Sequence, residues 1–377
     1  MGVVTPVGNS VPAFWEALCV GRSGLAPITR FDASPYRNDL AGEIKGIEPG
    51  DVPRASAYAL FALREAVRDA NLADFAGSGI VLGSNFGGMD AALGFFRGTG
   101  SRDSLSGSNL ADPVDRAIRE YGFVGPSCCV SLSCASGAAS VGMAYDTIAL
   151  GLADIMIAGG FDELSELSYA GLSALRAITP DIIRPFDKNR KGTIFSEGAG
   201  VVVLESIESA RQRGAKIHAE VLGHFVNNDA YHMTAPDKTG QGIREVMERA
   251  IRDAGVSPES VDYVNSHGTG TEYNDRIETS AIKQVLGRRA HEIPVDSIKS
   301  MIGHMMGAAG TVEIIATVKT IQTGIVPPTV NLETPDPECD LNYVPGKAQT
   351  FPVKIALSNS YGIGGCNAAV VLGGLDR

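Results

Sequence analysis

Short apolar runs alternate with helical patterns along almost the whole chain of 377 residues, in two successive series. Strand-like runs stand at "SGIVLGSN" (78–85), "SCCVSLS" (127–133), "ADIMIAGGFDE" (153–163) and "GAGVVVLES" (198–206). The segment "ASAYALFALREAVRDANL" (55–72) has apolar residues three and four apart, a helical period. After residue 215 come "HAEVLGHFVN", the helix "GQGIREVMERAIRDAG", "VDYVNSHG", the helix "NDRIETSAIKQVLG", "IPVDSIKS", "KIALSNS" and "CNAAVVLGG". Strands alternating with helices specify an α/β fold. Several strands are apolar throughout, which places them where both faces are buried.

The two series share a plan. "CCVSLSCASGAASVG" is a strand, a reactive residue type, then small residues opening a helix. "PVDSIKSMIGHMMGAAG" repeats the plan, with His304 near the place of Cys134. The architecture expected is two related halves, 1–214 and 215–377, each aiming a helix N-terminus at a shared centre. The only candidate linker, "SIESARQRGAK" (206–216), is charged and helix-like, so the halves are expected to be fused.

The formal net charge of −11 argues against nucleic acid and anionic membranes as partners. Six cysteines are scattered without CxxC spacing, which fits neither a disulfide framework nor a zinc site, and free thiols suit a reducing cytoplasm. "MGVVTPVGNS" carries no basic n-region or apolar h-region, and no charge-free run is long enough to span a bilayer.

Four constellations could carry chemistry. Cys134 stands where a strand gives way to a helix of small residues. A helix N-terminus favours thiolate, free N–H groups there can hold an oxyanion, and small neighbours would admit a substrate. A buried packing cysteine is the competing reading. His267 closes a strand in "YVNSHGTGTEYND", where Gly268 and Gly270 permit a sharp turn and Thr269 and Thr271 offer hydroxyls. Lys299, His304 and Glu313 lie on or near the second small-residue helix, whose glycines would leave room around His304. In "NSYGIGGCNAAVVL" the glycines mark either a plain β-hairpin or a loop facing the site. His218, His224 and His291 lack such settings. One cysteine and two histidines suit a protease-like dyad or a carbon–carbon bond-forming site, and spacing alone does not choose.

Together these motifs resemble the β-ketoacyl-acyl-carrier-protein synthases, type II condensing enzymes of the thiolase superfamily. The resemblance runs through "GVVTPVGNS", "SCASGA", "RPFDKNRKG", "AYHMTAP", "HGTGT", "KSMIGHMMGAAG" and the last Gly-rich turn, in order. It implies a thiolase-like fold of five layers, αβαβα, with the site between the halves, in a cytoplasmic homodimer or a heterodimer with a related synthase. It implies that Cys134 accepts an acyl chain from acyl carrier protein. His267 and His304 then assist decarboxylation of malonyl-carrier, with no cofactor or metal. It also implies a charged network of Lys299 with Asp275, Glu278 and Glu313. Thr269 and Thr271 would hold the pantetheine arm, and the N–H groups of Cys134 and Ile363 would form the oxyanion hole.

Three departures stand out. The final turn carries Ile363 and Tyr361 where the family usually has aromatic gating residues, Phe in the second case. The strand expected before "MGVVTPVG" is absent from the sequence. The basic docking helix is thin: Arg54 stands near its start, and Arg184, Lys188, Arg190 and Lys191 are the better candidates for meeting an acidic carrier. Against a thiolase-type acyl-CoA enzyme, Cys366 follows rather than precedes the glycines. Cys134 argues against a non-catalytic, chain-length-factor-like partner, while Ile363 leaves room for a specialised subunit of a polyketide-type synthase.

Overall fold

The computed structural model describes residues 1–102 and 104–376. The first series builds strands β1 (Gly2–Val4), β2 (Gly79–Gly83), β3 (Ser127–Val130), β4 (Ile155–Asp162) and β5 (Gly198–Glu205). They form one sheet in the order β1-β5-β4-β2-β3. The second series builds β6 (Glu220–Asn228), β7 (Tyr263–Asn265), β8 (Val295–Asp296), β9 (Ile355–Gly362) and β10 (Cys366–Gly373), in the order β6-β10-β9-β7-β8. In both sheets the first strand lies at one edge, followed by the fifth, fourth, second and third. The two pairings nearest the first strand are antiparallel in each sheet, and the other two are parallel. The faint echo in sequence is thus a repeat of topology and strand direction.

The layers follow from the helices. Helix α1 (Arg54–Asp69) covers the outer face of the first sheet against β1, β4 and β5. Helix α2 (Ser136–Ala149) lies between the sheets. Helices α3 (Gln241–Asp253) and α4 (Glu272–Leu286) cover the second sheet. Helix α5 (Ala309–Thr323) joins α2 in the middle layer. The result is the five-layer αβαβα arrangement of a thiolase-like fold. One buried cluster draws Val81, Val141 and Val202 from the first half and Met301, Val312 and Val370 from the second. A core shared in this way couples the halves, since separating them would expose its apolar surface.

The small residues are explained by the middle layer, and the explanation corrects the expectation from sequence. A Cβ on Gly137 would stand 2.7 Å from the carbonyl oxygen of Gly307, and one on Gly310 would stand 2.7 Å from the nitrogen of Ala138. On Gly303 it would meet Ser196 at 2.9 Å. The glycines let two helix starts approach each other, and protein atoms occupy the room once assigned to substrate.

The N-terminal region differs from expectation too. Gly2–Val4 is itself a buried strand, paired antiparallel with β5. Among the described residues no helix is long and apolar enough to cross a membrane.

Candidate active site

Cys134 is displayed by a strained turn. Strand β3 ends at Val130, and Ser133 adopts φ 53°, a left-handed conformation costing a non-glycine residue roughly 1–2 kcal/mol. Ser136 Oγ fixes the turn by accepting from the Leu132 N–H (2.8 Å) and donating to the Ser133 carbonyl (2.6 Å). Cys134 follows, 5% exposed, two residues before α2 begins. The hairpin joining β9 to β10 bends over it. The Ile363 N–H bonds to the thiol, and a Cβ on Gly362 would stand 3.0 Å from the Cys134 nitrogen. Both readings of this Gly-rich turn hold: it is a β-hairpin, and it faces the thiol.

Burial pushes the Cys134 thiol up to about 11, against the Ser133 hydroxyl, the Ile363 N–H and Lys299, which favour the anion. The expectation of a lowered thiol pKa is overturned. A rise of about two units is about 3 kcal/mol, whereas a helix terminus contributes about 0.3–1 kcal/mol. Desolvation outweighs the helix, and the resting nucleophile is a thiol.

The two histidines come from the second half. His267 follows β7, and its backbone N–H donates to Glu278 Oε1 (2.8 Å) while the Gly268 N–H donates to Oε2 (2.9 Å). His304 is held through its backbone: its N–H donates to the Ile194 carbonyl (2.7 Å), and its carbonyl accepts from the Ser196 N–H (3.0 Å). The Phe195 ring stacks on it at 5.5 Å. The two imidazoles stand nearly perpendicular, centroids 5.3 Å apart, 4% and 3% exposed. Burial first, then the Lys299 charge, holds both well below the ordinary histidine range. Both rings are therefore neutral, and each carries one N–H.

Lys299 is fully buried and its ammonium bonds Glu313 Oε1. Its charge bears on Cys134, His267, His304 and Glu278 alike. Asp275 stands apart from it. Asp275 accepts from the Gly270 and Phe186 N–H groups and faces the Arg190 guanidinium at 4.0 Å. Two groups of contacts make up the expected network, Lys299–Glu313 and Asp275–Arg190–Asp336, and Glu278 feels the charges of both Lys299 and Asp275. The Thr269 and Thr271 hydroxyls lie 3.0 Å apart on that turn.

Burial removes two of the expected docking cations. Arg54 is held by Asp90 (2.5 Å), Glu197 (3.4 Å) and Glu163 (3.8 Å). Arg190 is 4% exposed, bound to Asp336 (2.5 Å) and to the carbonyls of Asp187, Thr271 and Glu272. A guanidinium so engaged is not free to meet a partner. Arg184 is half-buried and paired with Asp181 at 2.8 Å, whereas Lys188 and Lys191 are exposed. Tyr361 is buried in the core of the second half, edge-on to His267 at 5.4 Å. Ile363 packs instead against the cluster of Phe195 and Met306. His218 and His224 pair with Asp69 and Asp146, and His232 accepts from the Thr234 and Ala235 N–H groups of its own loop.

One residue beside the thiol escaped the sequence reading. Asp162, at the end of β4, accepts from the Ser84 hydroxyl and the N–H groups of Asn85, Phe86, Gly87 and Gly307, at 2.6–3.0 Å. It ties a loop of the first half to the residues before α5, and its charge bears on Cys134. Its sequence signal was a lone carboxylate at the end of an apolar strand. Among the described residues no group of three or more His, Cys, Asp or Glu could hold a metal ion.

This arrangement can do acyl chemistry: a thiol at a turn beside backbone N–H groups, with two neutral N–H donors nearby. Comparison with known proteins agrees. The family models for the beta-ketoacyl synthase N-terminal and C-terminal domains match residues 1–210 and 218–333. A 3-oxoacyl-[acyl-carrier-protein] synthase 2 of Synechocystis sp. is 40% identical over 98% of this chain and 95% of its own length. That of Coxiella burnetii is 38% identical over 99% and 96%. Among solved structures, the ishigamide ketosynthase/chain length factor superposes with a TM-score of 0.93 at 37% identity, covering 99% of this chain and 97% of that one. A type II polyketide synthase acyl-carrier protein in complex with its ketosynthase gives 0.93 at 32% identity, covering 100% and 98%. The chain belongs to the β-ketoacyl synthase family.

Proposed function

We propose that the chain catalyses decarboxylative Claisen condensation of malonyl-acyl-carrier protein with an acyl group held on Cys134, in fatty acid or polyketide-type synthesis. In the first half-reaction the Cys134 sulfur attacks the acyl thioester of a carrier protein. A C–S bond forms, the carrier thiol leaves with the cysteine proton, and the tetrahedral oxyanion faces the N–H groups of Cys134 and Ile363. The resting thiol gives up its proton as it attacks, and the Lys299 charge favours the anion.

In the second half-reaction the malonyl C–C bond breaks and CO2 departs. The electron pair develops as an enolate on the thioester oxygen. His267 and His304 donate N–H bonds to that oxygen, and losing one such donor typically costs about 10²–10³ in rate. The enolate carbon attacks the Cys134 thioester, a C–C bond forms, the acyl C–S bond to Cys134 breaks, and the released thiolate takes a proton from solvent. Lys299 and Glu313 orient and polarise the histidines from behind, Asp275 and Glu278 brace the turn carrying His267, and Thr269 and Thr271 receive the pantetheine arm. No cofactor enters this scheme.

The observation that carries the reading is the pair of buried, neutral, perpendicular imidazoles from one half, set by a thiol on a strained turn from the other. The two halves, 1–214 and 215–377, thus each supply one side of the site. The chain works in the reducing cytoplasm with acyl carrier protein, Lys188 and Lys191 being the cations free to meet it. It assembles as a homodimer or with a related synthase. The test is intact-protein mass spectrometry after incubation with acyl-carrier protein. An acyl adduct on Cys134, followed by a 3-oxoacyl-carrier product once malonyl-carrier is added, supports the assignment. An unmodified chain contradicts it.

A further inference from the structure

Behind the histidines lies a buried carboxyl that the scheme above does not use. Asp296 closes β8, is 0% exposed, and its Oδ1 accepts from the Tyr263 hydroxyl (2.6 Å) and the Asn265 side-chain amide (3.0 Å). Its Oδ2 is buried without a hydrogen-bond partner among the described residues, as is Glu313 Oε2. The groups facing Asp296 are Tyr263 and Asn265 from β7, Lys299 from the short helix Lys299–Ile302, and Glu313 from α5.

The charge count does not balance. The Glu313 charge disfavours the Asp296 anion, and Lys299 favours the anion of each. One ammonium between two buried carboxylates leaves a surplus negative charge, which a dry interior penalises strongly unless one carboxyl is protonated. Two carboxyl oxygens without donors are where that proton can reside.

We propose that Asp296, Glu313 and Lys299 form one proton-holding cluster, in which Asp296 is a positioning residue. Near neutral pH the carboxyl pair keeps one proton, and it loses that proton to solvent as pH rises. Its departure changes the net charge of the group whose ammonium bears on Cys134, His267 and His304. Burial pushes both Asp296 and Glu313 up to about 7, which puts the exchange in the working range. Because the two interact, the proton belongs to the pair rather than to either member. The role assigned here rests on reading the histidines as decarboxylation donors.

Two substitutions separate the cluster from a merely structural role, because they move a titration in opposite directions. Asp296→Asn keeps an acceptor for Tyr263 but removes the carboxyl whose anion the Glu313 charge disfavours, leaving Glu313 alone with Lys299. The inflection in the pH profile of malonyl-carrier decarboxylation then moves to lower pH, by about one unit. Tyr263→Phe removes a hydrogen bond that favours the Asp296 anion, so the inflection moves to higher pH. A pH-difference infrared titration of the wild type should show a buried protonated carboxyl disappearing between about pH 6 and 8; Asp296→Asn should lose or displace that band. Profiles that stay in place in both folded variants overturn the proposal, and so does the absence of the band in the wild type. Burial pushes Glu163 and Glu278 up to about 7 as well, so the wild-type band alone does not decide; if either variant fails to fold, Glu313→Gln replaces it, and a band unchanged in that folded variant overturns the proposal. If the wild type does not decarboxylate malonyl-carrier, the functional reading fails, and the infrared result judges the cluster separately.

Discussion

At the scale of single residues, Cys134 is asked to be inert until substrate arrives. Its thiol is pushed up to about 11 by burial, and an acyl thioester seated at the turn must compensate with oxyanion contacts. Cys134→Ala should abolish acyl loading and condensation while leaving the melting temperature within a few degrees of wild type. Cys134→Gln should also prevent loading but retain malonyl-carrier decarboxylation, because both histidines remain; carrier-bound product and released CO2 report the two separately. A Gln variant that is folded yet releases no CO2 would show that the histidines do not act alone. Ile363 is the second residue at issue. Its N–H reaches the thiol, while its β-branched side chain has a stiff χ1 and packs by Phe195 and Met306. Ile363→Phe should narrow the range of acyl chains accepted without slowing short-chain loading, measured as acylation rate against chain length. These residues were legible in the sequence because their motifs have unusual composition: a cysteine before small residues, a histidine in a Gly/Thr turn. Asp162 and Asp296 were not, since a single carboxylate ending an apolar strand looks the same whether it faces solvent or a charge cluster.

Among elements, the two helices of the middle layer carry the argument. Their periodicity and small-residue starts can be read from the sequence, but what those small residues face cannot. Gly137 and Gly310 are needed because α2 and the start of α5 meet closely, and Gly307 because the Ser84–Asn85 loop and Asp162 close on it. Overpacking such a contact typically costs about 1–3 kcal/mol. Gly137→Ala should therefore lower the unfolding free energy by about that amount, read from denaturant midpoints. It should also slow acyl loading, since α2 begins two residues after Cys134. Strand positions were legible for a related reason: runs buried on both faces leave continuous apolar stretches, as in β2, β4 and β10. The ion pairs of Arg54 and Arg190 were not, because a basic residue near a loop carries no mark of the carboxylates that the fold brings to it from distant segments.

For the molecule as a whole, the concentration of buried ionisable groups around the shared centre makes stability depend on pH. Burial pushes Glu163, Glu278, Asp296 and Glu313 up to about 7. A carboxyl whose pKa is higher in the folded than in the unfolded chain stabilises fully below its unfolded value, and that contribution is lost as pH rises through the folded value. His267 and His304 act oppositely: held low when folded, they favour the native state as pH rises towards the unfolded value of about 6.5. Three such protons, on Glu163, on Glu278 and on the Asp296–Glu313 pair, oppose two histidines over much of the same window. Net stability should therefore fall between about pH 5 and 7, seen as a declining melting temperature by calorimetry. A rise across that window would mean that the carboxyls are not held protonated by the fold. The two-half architecture was legible because its plan is repeated in the chain; the closeness of the two halves' charged groups was not, because it exists only once the sheets are stacked.

Labour is divided across that interface: Cys134 of the first half carries the acyl chain, and the histidines of the second half decarboxylate malonyl-carrier. Single-turnover kinetics of His304→Ala measure it most directly, following transfer of a labelled acyl chain to Cys134 and release of CO2 from malonyl-carrier in parallel. Decarboxylation should fall by about 10²–10³ while loading stays within a few-fold of wild type. Equal loss of both steps in a folded variant would contradict it.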